Sequence, residues 1–322
     1  MLKVIFAGSP DVASKTLDVL FQNQSAFGFK ITGVISNPPS AKGRHKELIP
    51  TPVASYAIQN QIPVFTPEHL DSVAREQISP LNADLLISFA YGHIFGPKFL
   101  ALFPMGGINL HPSLLPKYRG CTPVPAAILN RDSQTAVTIQ KLALKMDEGD
   151  ILEQQKIDLN GTETGGSLLE KTALIGAELI LKVLKSTIND GKLPKGVSQT
   201  GNSSYTNIIT KDNARINWND DVEKIEAMVR AYYPEPGCWT LENGLQLKIL
   251  HASFIPFTED KVSSYKDKQN GTVVDFCKSE GIYIKANNGI LCVQTLQRQG
   301  KKDMNYKDFM NGAHNFVGTI LE

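Results

Sequence analysis

The chain has 322 residues, a length that suggests about two domains. Hydrophobic residues make up 42% and charged residues 20%, and the net charge of +1 implies no broad surface for a polyanion. No apolar run approaches the roughly 20 residues of a membrane span, and Cys121, Cys238, Cys277 and Cys292 form no C-x-x-C pair, which excludes a disulfide framework and a cysteine zinc site.

The N-terminal "LKVIFAG" reads as a first strand rather than a signal peptide. Ser9 is placed to cap the following helix, with Pro10 at its first position. "FKITGVIS" is a second strand, and Thr51-Pro52 repeats the cap-then-proline device before "VASYAIQNQ". "IPVF", "ADLLISF" and "GGINL" read as buried strands with helical stretches between them, and Thr122-Pro123 opens another helix. This alternation predicts an α/β domain with a mostly parallel sheet. The first strand runs into "AGSPDVA", where only Gly8 remains of a G-x-G-x-x-G fingerprint, so the turn is not a dinucleotide site.

"AVTIQKLAL" and "DILEQQKIDL" read as two strands flanking Met146-Asp147-Glu148-Gly149, followed by a long helix from about Thr164 to Asp190. The period then stops in "GKLPKGVSQTGNSSY", which reads as a linker. Beyond it come one helix, about Asp221 to Tyr232, and several short strands that suggest a small β-barrel or sandwich. The expected division is residues 1–190, a linker 191–207, and a second domain 208–322. Residues 1–204 carry 19 Lys/Arg against 17 Asp/Glu, and residues 205–322 carry 14 against 15. Any nucleic-acid contact must therefore be a local patch.

The candidate site begins at "INLHPSLLPKYRG", Ile108 to Gly120. Residues two apart on a strand face the same way, so Asn109 and His111 present an amide and an imidazole side by side at a strand end. Pro112 fixes its own φ, and Pro116 restricts Leu115 to extended geometry. A loop held in this way can bear a flat ligand, with Leu114 and Leu115 as apolar walls and Ser113 as a hydroxyl. A carboxylate from "KMDEGD", with Asp147 the first, can pair with an imidazolium and move protons. That imidazolium and the Asn109 amide together can stabilise an oxyanion.

These residues resemble a known signature. "NLHPSLLPKYRG" followed by "MDEGDIL", with "VIFAGSPDVA", "FAYG", "AKGRHKELIPTPV", "YTNIITKDNARINW" and "GKKDM", is similar to the 10-formyltetrahydrofolate-dependent formyltransferases over nearly the whole length. The resemblance implies an N-terminal Rossmann-like formyltransferase domain and a C-terminal OB-like barrel that helps hold tRNA. It implies Asn109, His111 and Asp147 as the catalytic set. Ser113, Leu114, Leu115 and Pro116 would line the folate site, with a cis peptide at Leu115–Pro116. Ala90, Tyr91, Gly92 and the segment 143–146 would hold the pterin.

The implied donor is 10-formyltetrahydrofolate with no metal, and the implied acceptor is methionyl initiator tRNA. The tRNA would be met by Lys42, Arg44 and Lys46 in the 36–50 loop, and by Lys117 and Arg119 beside the formyl site. A monomer in the cytoplasm, away from membranes, completes the expectation. A folate-dependent enzyme acting on an amino sugar nucleotide stays open, since such enzymes also carry a second domain. The joint presence of Asn109, His111 and Asp147 argues against a non-catalytic tRNA-binding protein.

Overall fold

The computed structural model describes residues 1–42 and 47–322, except for the side chain of Lys42. The chain folds as two units. The first comprises Met1–Pro123, Gln134–Asp158 and Leu169–Asn207, and the second comprises Val124–Ser133, Leu159–Leu168 and Ile208–Glu322. Residues 191–207, read from the sequence as a linker, lie within the first unit.

The first unit is built on a seven-stranded sheet. Its strand order is Ile151–Asp158, Gln134–Lys141, Gly107–His111, Leu85–Ser88, Leu2–Ala7, Phe29–Ile35 and Val64–Phe65. The five strands from Gly107–His111 to Val64–Phe65 run parallel. The other two add antiparallel at the Gly107–His111 side. Parallel strands covered on both faces read as continuous apolar runs, and Val4, Ile5, Phe6 and Ala7 are all fully buried.

Two helix starts show how the connections are made. Thr51 accepts a hydrogen bond from the Ala54 N–H at 3.1 Å and Pro52 opens the helix, as the sequence predicts. Ser9 does not cap: the helix Asp11–Phe27 is preceded by Pro10, with no side-chain cap. The Ser9 hydroxyl instead accepts from the Asn37 N–H at 3.1 Å and meets the Ser36 hydroxyl at 3.3 Å. Those bonds tie together the ends of two neighbouring strands, and a side-chain oxygen used there is lost to the cap.

One face of the sheet packs Ile5, Ala7, Ile35 and Leu86 against Ile78, Phe95, Phe99 and Phe103. The long helix Gly165–Asp190 runs close to the strand Gly107–His111. A Cβ at Gly176 would lie only 2.1 Å from Leu110 Cδ1, so the helix approaches that strand at its one-atom side chain.

The second unit is an antiparallel β domain. Its strands lie in the order Cys238–Glu242, Leu245–Pro256, Gly289–Arg298, Gly281–Ala286 and Val273–Cys277, and Met304–Asn305 also pairs with Gly289–Arg298. The last residues of the chain join its two edges. Leu241 and Glu322 exchange both backbone hydrogen bonds, at 2.9 and 3.1 Å. On the opposite edge the Val273 N–H donates to Thr319 O at 2.8 Å, and the Leu321 N–H donates to Gly271 O at 2.9 Å. This bridge pairs part of each outer strand's free edge.

Candidate active site

The register of the sheet assembles the site. Gly107–His111 lies between Leu85–Ser88 and Gln134–Lys141, with Asn109 beside Ser88 and Gln140, and His111 beside Thr138. Ala90–Gly92 follows directly on the end of Leu85–Ser88. The strand-end loops Ala90–Gly92 and 112–118 thus emerge from adjacent parallel strands, where open α/β sheets bind ligands.

His111 is 4% exposed. Its Nε2 lies 2.8 Å from the carbonyl oxygen of Tyr118. A carbonyl only accepts, so this nitrogen carries a hydrogen. Nδ1 faces Asp147 Oδ1 at 3.5 Å. A proton on Nδ1 would point at this carboxylate. Asp147 itself is held at both oxygens. Oδ1 accepts from Gln140 Nε2 at 2.8 Å, and Oδ2 accepts from the Gly120 N–H at 2.8 Å.

Asn109 is half-buried, and among the described residues its side-chain amide has no hydrogen-bond partner. The strand therefore offers one free amide donor beside a histidine–carboxylate pair whose orientation is fixed from behind.

The residues expected at the folate differ in what they present. Ser113 is fully buried; its hydroxyl donates to Lys117 O at 2.6 Å, and its carbonyl accepts from Thr138 Oγ1 at 2.7 Å. It shapes the loop from within. Leu115 is buried, Leu114 and Pro116 are half-buried, and the Leu115–Pro116 peptide is cis. Ala90 and Gly92 are exposed, with φ values of 50° and 85°, whereas the Tyr91 ring is buried against Phe95. Beside Asp147, Leu144 is 67% and Met146 45% exposed. An exposed apolar rim next to a turned backbone fits a flat heterocycle that is apolar on its faces and hydrogen-bonds at its edge.

Among the residues expected at tRNA, Arg44 and Lys46 lie outside the described residues, as does the side chain of Lys42. Lys117 is exposed and stands 4.7 Å from the Tyr118 ring centroid. The guanidinium of Arg119 is occupied. It donates to Gln199 Oε1 at 2.8 and 3.1 Å and to the Tyr205 hydroxyl at 3.1 Å, and it pairs with Glu148 at 3.3 Å. The Tyr205 hydroxyl donates to Glu148 at 2.6 Å. That bond first, then Lys145 and Arg119, hold the Glu148 carboxyl below its ordinary range.

Sequence reasoning missed Gln140 and Gln199. Gln140 left a signal, since Thr138 and Gln140 put two polar side chains two apart on one face of an apolar strand, and a buried polar group needs a partner. Gln199 left none, because it lies in a stretch without period.

Among the described residues no cluster of His, Cys, Asp and Glu could hold a metal, and no helix is long and apolar enough to cross a membrane. Residues 2–184 match the family described as formyl transferase, and residues 208–314 match the formyl transferase C-terminal domain. The chain is 39% identical to a methionyl-tRNA formyltransferase of Treponema denticola, over 98% of both proteins. Among solved structures, a methionyl-tRNA formyltransferase from Clostridium thermocellum shares the fold at a TM-score of 0.57 and 16% identity, over 79% of this chain and 93% of that one. A sugar 3N-formyl transferase determined with dTDP and 5-N-formyl-THF shares it at 0.62 and 21%, over 94% and 99%.

Proposed function

We propose a mechanism from the premise that this chain belongs to the formyl transferase family, among the methionyl-tRNA formyltransferases, and transfers a formyl group to the α-amino group of methionyl initiator tRNA. The donor in this reading is 10-formyltetrahydrofolate, which supplies the formyl carbon from its N10 nitrogen. The reaction takes place in the cytoplasm, on a monomer.

Asn109 turns its unpaired amide toward the formyl oxygen and stabilises the negative charge that grows there as the amine attacks. His111 and Asp147 act as one unit. With one proton between them, imidazolium against carboxylate, the pair is neutral, and the proton taken from the amine makes it positive, while Tyr118 O and the Gly120 N–H hold ring and carboxylate in line. Asp147 takes the proton that the amine loses, and the pair returns one to the departing nitrogen, so the transfer is balanced without a metal. Ala90–Gly92, Leu114, Leu144 and Met146 seat the donor ring. Lys42, Arg44, Lys46 and Lys117 face the acceptor end of the tRNA, and the 208–322 domain helps hold the rest. Arg119, its guanidinium already engaged, braces the site rather than reading phosphate.

The observation that carries this reading is the free Asn109 amide on the same strand as a histidine paired to a doubly held aspartate. Formyl transfer from the folate donor to methionyl initiator tRNA should fall about 10²–10³-fold in kcat in Asn109→Ala, the usual cost of losing one oxyanion donor. His111→Ala and Asp147→Ala should each lose most turnover while tRNA affinity, read by filter binding, stays within a few-fold. Near-normal turnover in any of the three removes that residue from the mechanism.

A further inference from the structure

Gln199 belongs to the stretch 191–207, which has no sequence period, yet its side chain is the most fully bonded near the site. Its Nε2 donates to the carbonyl oxygens of Asp147 and Gly149, both at 2.8 Å, and lies 3.3 Å from Gln140 Oε1. Its Oε1 accepts from Arg119 Nε at 3.1 Å and Nη2 at 2.8 Å. Two donors meet two carbonyls, and two lone pairs meet one guanidinium. The reversed amide would set oxygen against carbonyls and N–H against a cation, so only one orientation satisfies the network.

The groups on either side of this amide are the supports of the catalytic pair. Asp147 has a φ of 55°, a left-handed conformation uncommon outside glycine, which aspartate adopts more readily than most and which the bonds around it hold in place. The carbonyls on both flanks of that turn are the ones Gln199 binds. Gln140, within reach of the same amide, donates to Asp147 Oδ1. Arg119 precedes Gly120, whose N–H binds Asp147 Oδ2, and follows Tyr118, whose carbonyl orients His111.

The rest of the stretch anchors the brace. Val197 exchanges two 2.8 Å backbone bonds with Ile151, Arg119 N–H donates to Ser204 O at 2.8 Å, and Tyr118 N–H donates to Ser204 Oγ at 2.9 Å.

We propose that Gln199 is a positioning residue for formyl transfer, whose amide locks the Asp147 turn to the 118–120 loop and so holds the proton-carrying pair in line. The inference rests on the reading that Asp147 moves the proton. Displacement of a reacting group by about 1 Å can cost on the order of 10²-fold in rate. A residue that aligns without touching substrate should therefore appear in kcat and not in KM.

The test measures kcat, KM for both substrates and Tm for Gln199→Ala, Gln199→Glu, Ser198→Ala, Asp147→Ala and the double variant Gln199→Ala/Asp147→Ala. Gln199→Ala should lose about 10- to 100-fold in kcat, with both KM values within about threefold. Gln199→Glu is isosteric and its carboxylate can pair with Arg119, so it should still fold, with some loss of Tm from the oxygen now set against the two carbonyls. It keeps the acceptor for Arg119 and loses both donors to the turn, so it should be impaired as much as Gln199→Ala. Ser198→Ala removes a neighbouring 3.1 Å bond to Asp150 and should stay within about twofold, which separates a brace from a merely loosened segment. The double variant should be no slower than Asp147→Ala, because residues acting as one unit are not additive. If Asp147→Ala is inactive while Gln199→Glu keeps parental kcat, or if the two substitutions add, the inference is wrong and the reading of Asp147 stands. If Asp147→Ala itself keeps parental kcat, the reading has failed first.

Discussion

Ala90, Tyr118 and Asp147 hold φ values of 50°, 60° and 55°, three left-handed non-glycine residues around one site. Each is set in the loop after a strand, where backbone carbonyls and N–H groups are free to turn toward other groups, and such conformations persist only when over-determined by neighbours. Tyr91, between Ala90 and Gly92, shows the reverse situation. Its ring stacks on Phe95 with centroids 5.5 Å apart, and its hydroxyl is buried without a partner among the described residues. Burial pushes that phenol up to about 12. A phenol ionises near 10 in the unfolded chain. Between those values the folded state binds the extra proton, so this group's contribution is intact below about pH 10 and is lost as pH rises toward 12. Removing an unsatisfied buried hydroxyl costs little or stabilises. Tyr91→Phe should therefore keep or raise Tm at pH 7 and lose less stability than the parent from pH 9 to pH 11. A Tm depressed by several degrees at pH 7 would mean the hydroxyl has a partner after all.

The turn between Gln134–Lys141 and Ile151–Asp158 carries Asp147, the aspartate proposed to move the proton, and Gly149 sets its path. A Cβ on Gly149 would lie 1.8 Å from Lys141 O, a backbone atom that cannot swing aside. Gly149→Ala must push the turn off the strand, moving Asp147 away from Gln140 and Gly120. Overpacking typically costs about 1–3 kcal/mol. The expected outcome is a lowered denaturation midpoint together with a kcat loss larger than that of Ser198→Ala; a variant with parental kcat and Tm would show that the turn relaxes in place. The two strands flanking this turn were legible because buried apolar runs announce themselves by pattern. Asn109 and His111 were legible as chemistry, since an amide and an imidazole two apart on a strand share a face, whereas Asp147 was singled out among the carboxylates of its turn by the family resemblance. The elements that lock them were not. Gln199, Ser204 and Thr206 act through side-chain bonds to backbone groups 50 to 90 residues distant, and such bonds impose no periodicity. The same physics misplaced Ser9, whose hydroxyl serves Asn37 rather than a helix end. It also hid the closing strand-edge contacts of Thr319, Leu321 and Glu322, which carry no more apolar character than a tail.

Over the whole molecule, charge is nearly balanced, with 33 basic and 32 acidic side chains, so long-range attraction for a polyanion is weak and recognition must be local. Arg119 would be the obvious phosphate contact beside the site, but its fork is filled by Gln199, Tyr205 and Glu148. That shifts the weight to the 36–50 segment, whose sequence carries Lys42, Arg44 and Lys46 within five residues. Arginine binds phosphate with two parallel bonds and stacks on an unpaired base, whereas lysine acts as a hydrated point charge. Arg44→Ala should therefore lower kcat/KM for initiator tRNA and narrow its advantage over elongator methionine tRNA. Lys42→Ala should weaken both tRNAs about equally, and each lost phosphate contact should flatten the plot of log affinity against log salt by about 0.7 to 0.9. The measurement is kcat/KM for the two tRNAs at several salt concentrations. An unchanged ratio in Arg44→Ala would move discrimination out of this segment, to Lys117 or to the 208–322 domain.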